Sequence, residues 1–403
     1  MNRRAFLAAA IVAAGVLTLP AAAAQTQWQD VLRNLRHPNA DTRLKSVNTL
    51  ADAAYTPAAE AVAPLVTDAD DRVQSAAIEA ELTFFLTERI SQLKVMNIGS
   101  SRSRAQQAFE AGPLVRGAGP APPVLIDKLL VAVRDENPRV RFDAIHAVGF
   151  LAMPQPLSPE QTTALTDALD HYDPIIRAAA SRVIARLHTR EAADKLLAGV
   201  NDSNALVRQY AIEALGYLRE ERALLPLRDI VSRNRGDLVD DAWLALARIG
   251  SPDDVDRFRA GLPSRNAVVR RGAAEGLGRA RDQASIAALQ ALLKDNQATV
   301  KLAAMFALQQ LGEVHSHDIA SMLIVREEAT QAREYLFEIG HDAVAGAEAV
   351  LKVATDSRHR ADLIQLVGYL GTPADASTVE PFAKDKDERV ARATSHALAR
   401  LRR

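Results

Sequence analysis

Residues that could bind a metal ion are concentrated in one stretch of the chain, at His315, His317, Asp318, His341 and Asp342. Imidazole and carboxylate groups suit first-row transition metals, which require three or four such ligands in one place. Two histidines separated by a single residue meet on one ion only if the turn between them folds back. We therefore expect solvated turn residues and no cofactor, and we keep His315, His317 and His341 as the ligands of an alternative metal site.

Other catalytic patterns are isolated or missing from the sequence. Ser91 and Lys94 match the Ser-x-x-Lys pattern of penicillin-binding enzymes, but the Lys-Thr-Gly sequence that completes such a site is absent. There is also no Gly-x-Ser-x-Gly, no His-Glu-x-x-His and no phosphate-binding loop that ends in Gly-Lys. Because no nucleophile is paired with a base, we predict that the protein is not an enzyme.

The first 24 residues have the pattern of a bacterial export signal. Arg3 and Arg4 precede an apolar run over residues 6–19, and the run is followed by small residues up to a predicted cleavage site before Gln25. The Arg-Arg-Ala-Phe-Leu sequence is similar to a twin-arginine signal, and two arginines also serve the Sec route, so both routes stay open. No later segment approaches the roughly 20 apolar residues of a transmembrane helix. We expect a periplasmic or secreted protein.

Composition limits the architecture and the partners. Hydrophobic residues make up 48% of the chain but aromatics only 4%, which favours close packing of helices through Ala, Leu and Val. The absence of Cys excludes disulfides and a lipid anchor on Cys. Without Arg3 and Arg4, acidic residues outnumber basic ones by three. Proteins that bind nucleic acid usually carry an excess of basic residues. Because this chain has none, we expect a protein partner and no nucleic acid.

An internal repeat is visible in the register of a few residue types. Val-Arg is followed by Ala four residues after the Val and by Gly nine residues after it, in the segments 140–149, 207–216 and 269–278. We call the first, usually aliphatic, residue the anchor of its unit. Anchors lie at Thr42, Val73, Val140, Ile176, Val207, Val239, Val269, Val300, Ala329, His359 and Val390. From Val140 onward they are 29 to 36 residues apart, which gives a period near 31.

A unit of this length holds two short helices and two turns. Pro38, Pro138 and Pro174 lie in equivalent turns, where Pro ends one helix and the next begins. Since a single helical pair cannot bury both of its faces, each unit must stack on the next. We predict an all-α, right-handed α-solenoid of about 11–12 helical-hairpin repeats, without sheet and elongated in solution.

These repeats resemble the HEAT family, in particular the short HEAT-like repeat of phycobilisome lyases, whose consensus runs from Asp through Val-Arg and Ala-Ala to Ala-Leu-Gly. The resemblance covers residues 28–403 and is strongest over residues 129–312. It implies that Asp135, Asp202 and Asp295, each six residues before a basic residue, form an Asp-Arg ladder between units. Some HEAT-like proteins are di-iron hydroxylases of the deoxyhypusine type, which carry paired His-Glu motifs. None of the nine His in this sequence is followed by Glu, so the resemblance does not extend to these enzymes. Lyase activity is not expected in an exported protein.

One region, between the anchors Val73 and Val140, departs from the period. Because of this gap, we divide the chain into a signal peptide (1–24), N-terminal repeats (25–86), a degenerate repeat or insertion (87–123) and the main array (124–403). A weak unit anchored at Ser103-Arg104 would fill part of the gap between Val73 and Val140, and the Pro/Gly-rich stretch 117–123 must loop outward. Lys94, Arg102, Arg104 and Arg116 make this region a candidate partner-binding site, with a decayed repeat as the alternative.

A second candidate surface follows from the helical period. Residues six positions after each anchor point away from the anchor stripe, and we call them the inner column because the second helices of such repeats usually line the concave face. They include Glu79, His146, Arg182, Glu213, Glu275, Phe306, Tyr335, Gln365 and His396. Either this column is an ordinary solvated face or it binds a partner.

The predicted function combines these observations. We predict an exported, non-catalytic scaffold that binds a protein partner. The candidate binding residues are Glu79, His146, Glu213, Glu275, Arg102, Arg104 and Arg116. The alternative is a protein that binds a metal ion or a small ligand and is lyase-like or a weak enzyme.

Overall fold

The computed structural model describes residues 21–87, 102–117, 119–153, 156–233, 236–325 and 327–402, with side chains from Trp28 onward. Over these residues the secondary structure is helical, apart from one antiparallel bridge between Leu86 and Arg116. The predicted all-α class is confirmed. Residues 1–20, which hold most of the predicted export signal, and Ser91 and Lys94 lie outside the described residues.

The α-helices of the described residues follow one another in short pairs. The N-terminal part contains α1 Ala21–Asn34, α2 Ala40–Asp52, α3 Ala59–Val62, α4 Asp71–Phe85, α5 Arg104–Ala111, α6 Pro123–Ala132, α7 Pro138–Leu151, α8 Pro159–Ala168, α9 Pro174–Leu187, α10 Ala193–Gly199, α11 Ala205–Tyr217 and α12 Leu224–Arg233. The C-terminal part contains α13 Val239–Ile249, α14 Val255–Gly261, α15 Ala267–Arg279, α16 Ile286–Leu292, α17 Ala298–Gln310, α18 Ser316–Ser321, α19 Ala329–Ile339, α20 Val344–Leu351, α21 Ser357–Leu370, α22 Ala376–Val379 and α23 Glu388–Leu401. Apart from α5, they form eleven pairs in the described residues, and the second helix of each pair carries the anchor.

The second helices stack on one another in register, as the repeat requires. Contacts run from α9 through α11, α13 and α15 to α17, and again from α21 to α23. Small residues allow this close approach: a Cβ added to Gly278 on α15 would lie 2.6 Å from the Cα of Ala307 on α17. A regular α-solenoid results, as predicted.

Each second helix begins in a turn that is built from the same residue types. Asn137, Asp173, Asn204 and Asn266 cap α7, α9, α11 and α15 by accepting a backbone N–H of the first turn. Pro138 and Pro174 occupy the first helical position, where the missing N–H costs no hydrogen bond. The turns and helix starts expected from the sequence are confirmed.

The Asp-Arg ladder joins neighbouring units. Each of four arginines pairs with the Asp that lies 25 residues further on, in the next turn: Arg43 with Asp68, Arg177 with Asp202, Arg270 with Asp295 and Arg360 with Asp385. The basic residue six positions after an Asp binds the turn itself, since Arg208 donates to the carbonyl of Asp202 at 2.8 Å. These pairs therefore hold the stack together and do not leave a free basic track.

The stack continues directly from α4 to α7, so α5 is not a repeat unit within it. The amide of Gln74 donates to Asp135 at 2.9 Å, and that of Asn137 donates to Asp71 at 2.7 Å, which are the ladder contacts expected of adjacent units. Among the two alternatives for this region, these contacts favour an insertion. The described part of the insertion, residues 102–117, is called the strap below.

The strap runs inward and connects the two ends of the array. The Gly117 N–H donates to the carbonyl of Phe85 at 2.7 Å, and the Gly117 carbonyl accepts from Arg400 on α23 at 2.9 Å. Ala121 is buried as well. The prediction that residues 117–123 loop outward is wrong at these positions. Because the strap binds units near both ends, it closes the curved array. In the part of the chain that the structure describes, no helix is long and apolar enough to cross a membrane.

Candidate functional site

The first half of the strap lies on the inner surface of the early units. Phe109 packs edge-on against His146 of α7, with ring centroids 5.4 Å apart. Glu110 accepts from Arg102 at 2.5 Å and from Arg182 of α9 at 3.1 Å. The ion pair with Arg182 fixes α5 against the concave side of the array.

The second half of the strap reaches the late units through backbone carbonyls. Arg333 of α19 donates to the carbonyl of Ala111 at 3.2 Å, and the Tyr369 hydroxyl of α21 donates to that of Pro113 at 3.0 Å. Arg400 donates to the carbonyl of Arg116 at 2.7 Å. Residues more than 200 positions apart in the sequence are thereby joined.

This closure buries most of the inner column. His146, Glu275, Phe306, Tyr335 and Gln365 are each at most 2% exposed. The expectation of a solvated face is wrong for these residues, because column residues of successive units pack on one another, as Phe306 does on Tyr335, and Phe109 of the strap covers His146. In this conformation His146 and Glu275 do not present their side chains to a partner, whereas Glu213 stays partly exposed.

Glu275 is instead the centre of a buried charge cluster on α15. Its carboxylate accepts from Arg271 at 2.8 Å and from Arg279 at 2.9 Å, and the Tyr335 hydroxyl of α19 donates to it. Burial opposes ionisation, but the two guanidinium charges outweigh it and hold the pKa of Glu275 below its usual range. The cluster links helices two units apart, which is a structural role.

The basic residues predicted in the insertion are also used within the protein. Arg104 pairs with Glu79 at 2.7 Å, so two predicted partner-binding residues bind each other at the start of the strap. Arg102 pairs with Glu110 at 2.5 Å. Arg116 is 2% exposed, and its guanidinium donates to the carbonyl of Leu151 at 3.3 Å.

A cavity of about 540 Å³ remains between the strap and the inner helices; we call it the central cavity. Its basic lining consists of Arg182, Arg186, Arg219, Arg248, Arg279 and Arg333, and its acidic lining of Glu110, Glu213, Glu334 and Glu338. The wall also contains the aromatic residues Phe109, Tyr210, Tyr217 and Phe337. The wall therefore combines guanidinium groups with aromatic faces.

Four of the six arginines in the cavity wall are paired with its glutamates. Arg182 pairs with Glu110 as described, while Arg219 and Arg279 approach Glu338 at 2.6 and 2.9 Å. Arg248 lies 3.8 Å from Glu334, stacks on Tyr217 and donates to its hydroxyl at 3.0 Å. Within the described residues, Arg186 and Arg333 form no ion pair with a carboxylate.

The arginines of the cavity were not among the predicted partner-binding residues. Arg186 and Arg279 lie four positions after Arg182 and Glu275 of the inner column, and thus on the same helical face. That spacing is the signal that could have identified them from the sequence. The pairing of each one depends on the fold.

Comparison with known families identifies the repeats. A family model of HEAT repeats matches residues 162–247, 193–267, 241–309 and 255–335. Residues 162–335 are thus HEAT repeats. The helical pairs, the Asp-Arg ladder and the stacked second helices of the chain are the structure expected of such repeats. No curated protein matches the sequence of the chain.

Several solved structures are similar to this HEAT array at low sequence identity. An engineered protein is 16% identical, with 93% of this chain and 99% of that chain covered and a TM-score of 0.43. The complex of CpcE and CpcF of phycocyanin lyase from a Nostoc species is 17% identical, with 70% and 97% covered and a TM-score of 0.38. Importin beta is 13% identical, with 94% of this chain and 60% of that chain covered and a TM-score of 0.37.

The histidines proposed as an alternative metal site lie at the start of α18 and in the turn before α20. His315 contacts Glu313 at 3.2 Å and Asp318 at 3.4 Å, whereas His341 is bonded to the carbonyl of Leu370 in the following unit. Among the described residues, no three His, Cys, Asp or Glu side chains are grouped so as to hold a metal ion.

An exposed apolar patch lies on the turn edge of two adjacent HEAT units. Tyr172, Ile175 and Leu206 are 84%, 56% and 43% exposed, and we call them the turn-edge patch. Arg177 holds the two turns together, since it donates to the carbonyl of Tyr172 at 3.0 Å and to Asp202 at 2.9 Å. The patch is therefore presented on a rigid part of the array.

Proposed function

We propose that this protein is an exported HEAT-repeat scaffold that binds a protein partner and catalyses no reaction itself. HEAT repeats form helical scaffolds that suit protein interactions. Their edges and faces offer extended contact surfaces. The missing catalytic motifs of the sequence support the non-catalytic part of the proposal.

The turn-edge patch is the observation that carries the binding proposal. A largely exposed tyrosine beside two exposed aliphatic side chains is a costly arrangement in water and is typical of interaction surfaces. Because Arg177 fixes both turns, docking would require little ordering of the patch, which favours binding. We therefore propose that the partner binds at the turn edge. Glu213 remains available in the cavity, whereas internal contacts are made by the other predicted residues, Glu79, Arg102, Arg104, Arg116, His146 and Glu275.

Site-specific crosslinking tests the binding site. A photo-crosslinking amino acid is placed at Tyr172, and a matched one at Val314, which is 82% exposed on another unit. We expect a discrete crosslinked protein from position 172, lost when Ile175→Asp and Leu206→Asp are added and absent from position 314. Equal products at both positions, or a product that survives the two substitutions, would show that this patch is not the binding site.

The export part is tested separately. We expect residues 1–24, fused to a reporter that is active only outside the cytoplasm, to give activity, since the segment has the charged, apolar and small-residue regions of a signal peptide. Replacement of Arg3 and Arg4 by Lys should abolish this activity if the twin-arginine route is used and preserve it if the Sec route is used. An inactive reporter with the unmodified segment contradicts export.

A further inference from the structure

We infer that the central cavity binds a small organic anion, whose phosphate or carboxylate group is held by Arg186 and Arg333 and whose apolar body lies against the aromatic wall. This site is distinct from the turn-edge patch and does not depend on the proposed protein partner. Its argument rests on charge balance, donor geometry and volume.

The charges of the cavity wall do not cancel. Six arginines face four glutamates, and the ion pairs described above account for four of the arginines. Arg186 and Arg333 form no ion pair in the described part of the chain. Glu334 acts on both arginines and Asp362 on Arg333, but from beyond ion-pair distance, so a bound anion would compensate the two charges more directly.

The two guanidinium groups are held in place by the strap. The guanidinium carbon of Arg186 lies 3.7 Å from the ring centroid of Phe109, and one of its nitrogens donates to the carbonyl of the same residue. Arg333 lies against Gly112, where an added Cβ would be 2.8 Å from its guanidinium carbon. Gly112 has a φ of 82°, so this close approach uses a position that favours glycine. Both arginines are thus ordered before any ligand arrives.

Each of these two arginines uses one nitrogen on a backbone carbonyl, of Phe109 or of Ala111. Their other nitrogens have no protein partner in the described residues. Burial lowers the pKa of Arg186, and the neighbouring charge of Arg333 lowers it further. Both arginines line the same cavity, and an anion bound there would relieve the repulsion between their charges. Guanidinium groups suit this task because they bind oxyanions with two parallel N–H groups.

The rest of the cavity suits an apolar body. Tyr210, Tyr217 and Phe337 contribute aromatic surface, and a volume of about 540 Å³ lies within the range of small-molecule sites. A bare inorganic ion would leave most of this space unused. An anion with an attached ring or chain of similar size matches both the charge and the volume.

Calorimetric titration of the purified protein tests the inference with four probes: phenyl phosphate, benzoate, inorganic phosphate and benzylamine. We expect phenyl phosphate or benzoate to bind at least about tenfold more tightly than inorganic phosphate, and benzylamine not to bind, since it offers a ring with the opposite charge. The tighter of the two aromatic anions identifies the preferred group. Equal affinity of inorganic phosphate would remove the aromatic wall from the site, and equal affinity of benzylamine, or no anion binding up to millimolar concentration, would overturn the whole inference.

Variants then assign the residues. Arg186→Gln and Arg333→Gln should each lower the affinity for the tighter-binding probe at least about tenfold. Arg186→Lys should retain more affinity than Arg186→Gln because it keeps the charge. Arg222→Gln is the matched control, because Arg222 lies outside the cavity wall, is paired with Glu220 and has 55% of its side chain exposed. Circular dichroism verifies folding, and a misfolded Arg186→Gln leaves Arg333→Gln and Arg186→Lys to decide. An equal loss in Arg222→Gln, or no loss in Arg333→Gln, contradicts the assignment.

Discussion

Replacement of Arg400 by Met should open the closed array at its C-terminal end. The guanidinium of Arg400 donates to the carbonyls of Arg116 and Gly117 at 2.7 and 2.9 Å and to the Tyr369 hydroxyl at 3.1 Å. It also lies 3.9 Å from the ring centroid of Tyr369. Met keeps the apolar part of the side chain, so the decrease in the stability of the closed form reports on the guanidinium contacts.

The expected magnitude follows from these contacts. A hydrogen bond to a charged group contributes about 1.5 to 3 kcal/mol, and a cation–π contact about 0.5 to 1 kcal/mol. Because Arg400 is partly exposed and the freed groups can bind water, we count only the two carbonyl contacts at the lower end of this range, which gives a loss of about 3 kcal/mol. The end of the strap should then detach both from α23 and from the end of α4, without unfolding of the central units.

Hydrogen exchange measures this opening directly. The amides of Thr87 and Gly117 bond to the carbonyls of Val115 and Phe85 where the strap meets α4, so their protection reports on closure. A 3 kcal/mol loss corresponds to roughly 100-fold faster exchange of these amides. Arg402→Met is the control, since Arg402 is 61% exposed and pairs with Glu380 on the surface, where a pair contributes about 0 to 1 kcal/mol. Similar exchange in both variants would refute the role of Arg400 in closure.

Two further predictions concern the stack and its core. Gly278→Ala should lower the free energy of unfolding by about 1 to 2 kcal/mol in urea titrations, because the added methyl group meets the backbone of Ala307. Gly119→Ala is the control and should have no measurable effect, since no atom lies within 4 Å of the added Cβ. Equal stability of the two variants would contradict close helix packing. Glu81 is fully buried without a hydrogen-bond partner for its carboxyl oxygens, and burial raises its pKa well above the usual value. Its folded form therefore binds a proton more readily than the unfolded form, so this group destabilises the fold as the pH rises above about 4.3. Glu81→Gln should thus raise the urea midpoint at pH 7.5 more than at pH 4.5, and an equal change at both pH values would show that Glu81 is not protonated in the fold.

Much of the architecture could be predicted because it depends on local sequence. The capping residues, the prolines in the turns and the apolar period of the second helices act within about ten positions, and they place each helix pair. The ladder from Arg177 to Asp202 connects neighbouring units only, so the resemblance of single repeats to the HEAT family was sufficient to predict such a ladder.

The candidate sites were harder to predict. The inner column was correctly assigned to one helical face, but the burial of His146 and Glu275 depends on how tightly the whole array curls. A small change in the rotation from unit to unit accumulates over the array, and no residue pattern within one unit fixes it. The sequence also left open whether residues 87–123 stack as a repeat or leave the stack.

The sequence alone determined the all-α class, the repeat register, the turns and the ladder, because each arises from contacts within a unit or between adjacent units. Only the tertiary structure decided the path of the strap, the closure of the array and the pairing of charges in the central cavity. The contact of Arg333 with Ala111 joins residues 222 positions apart, and that of Tyr369 with Pro113 joins residues 256 positions apart. Such contacts leave no periodic signal, because they depend on the summed geometry of every unit between them.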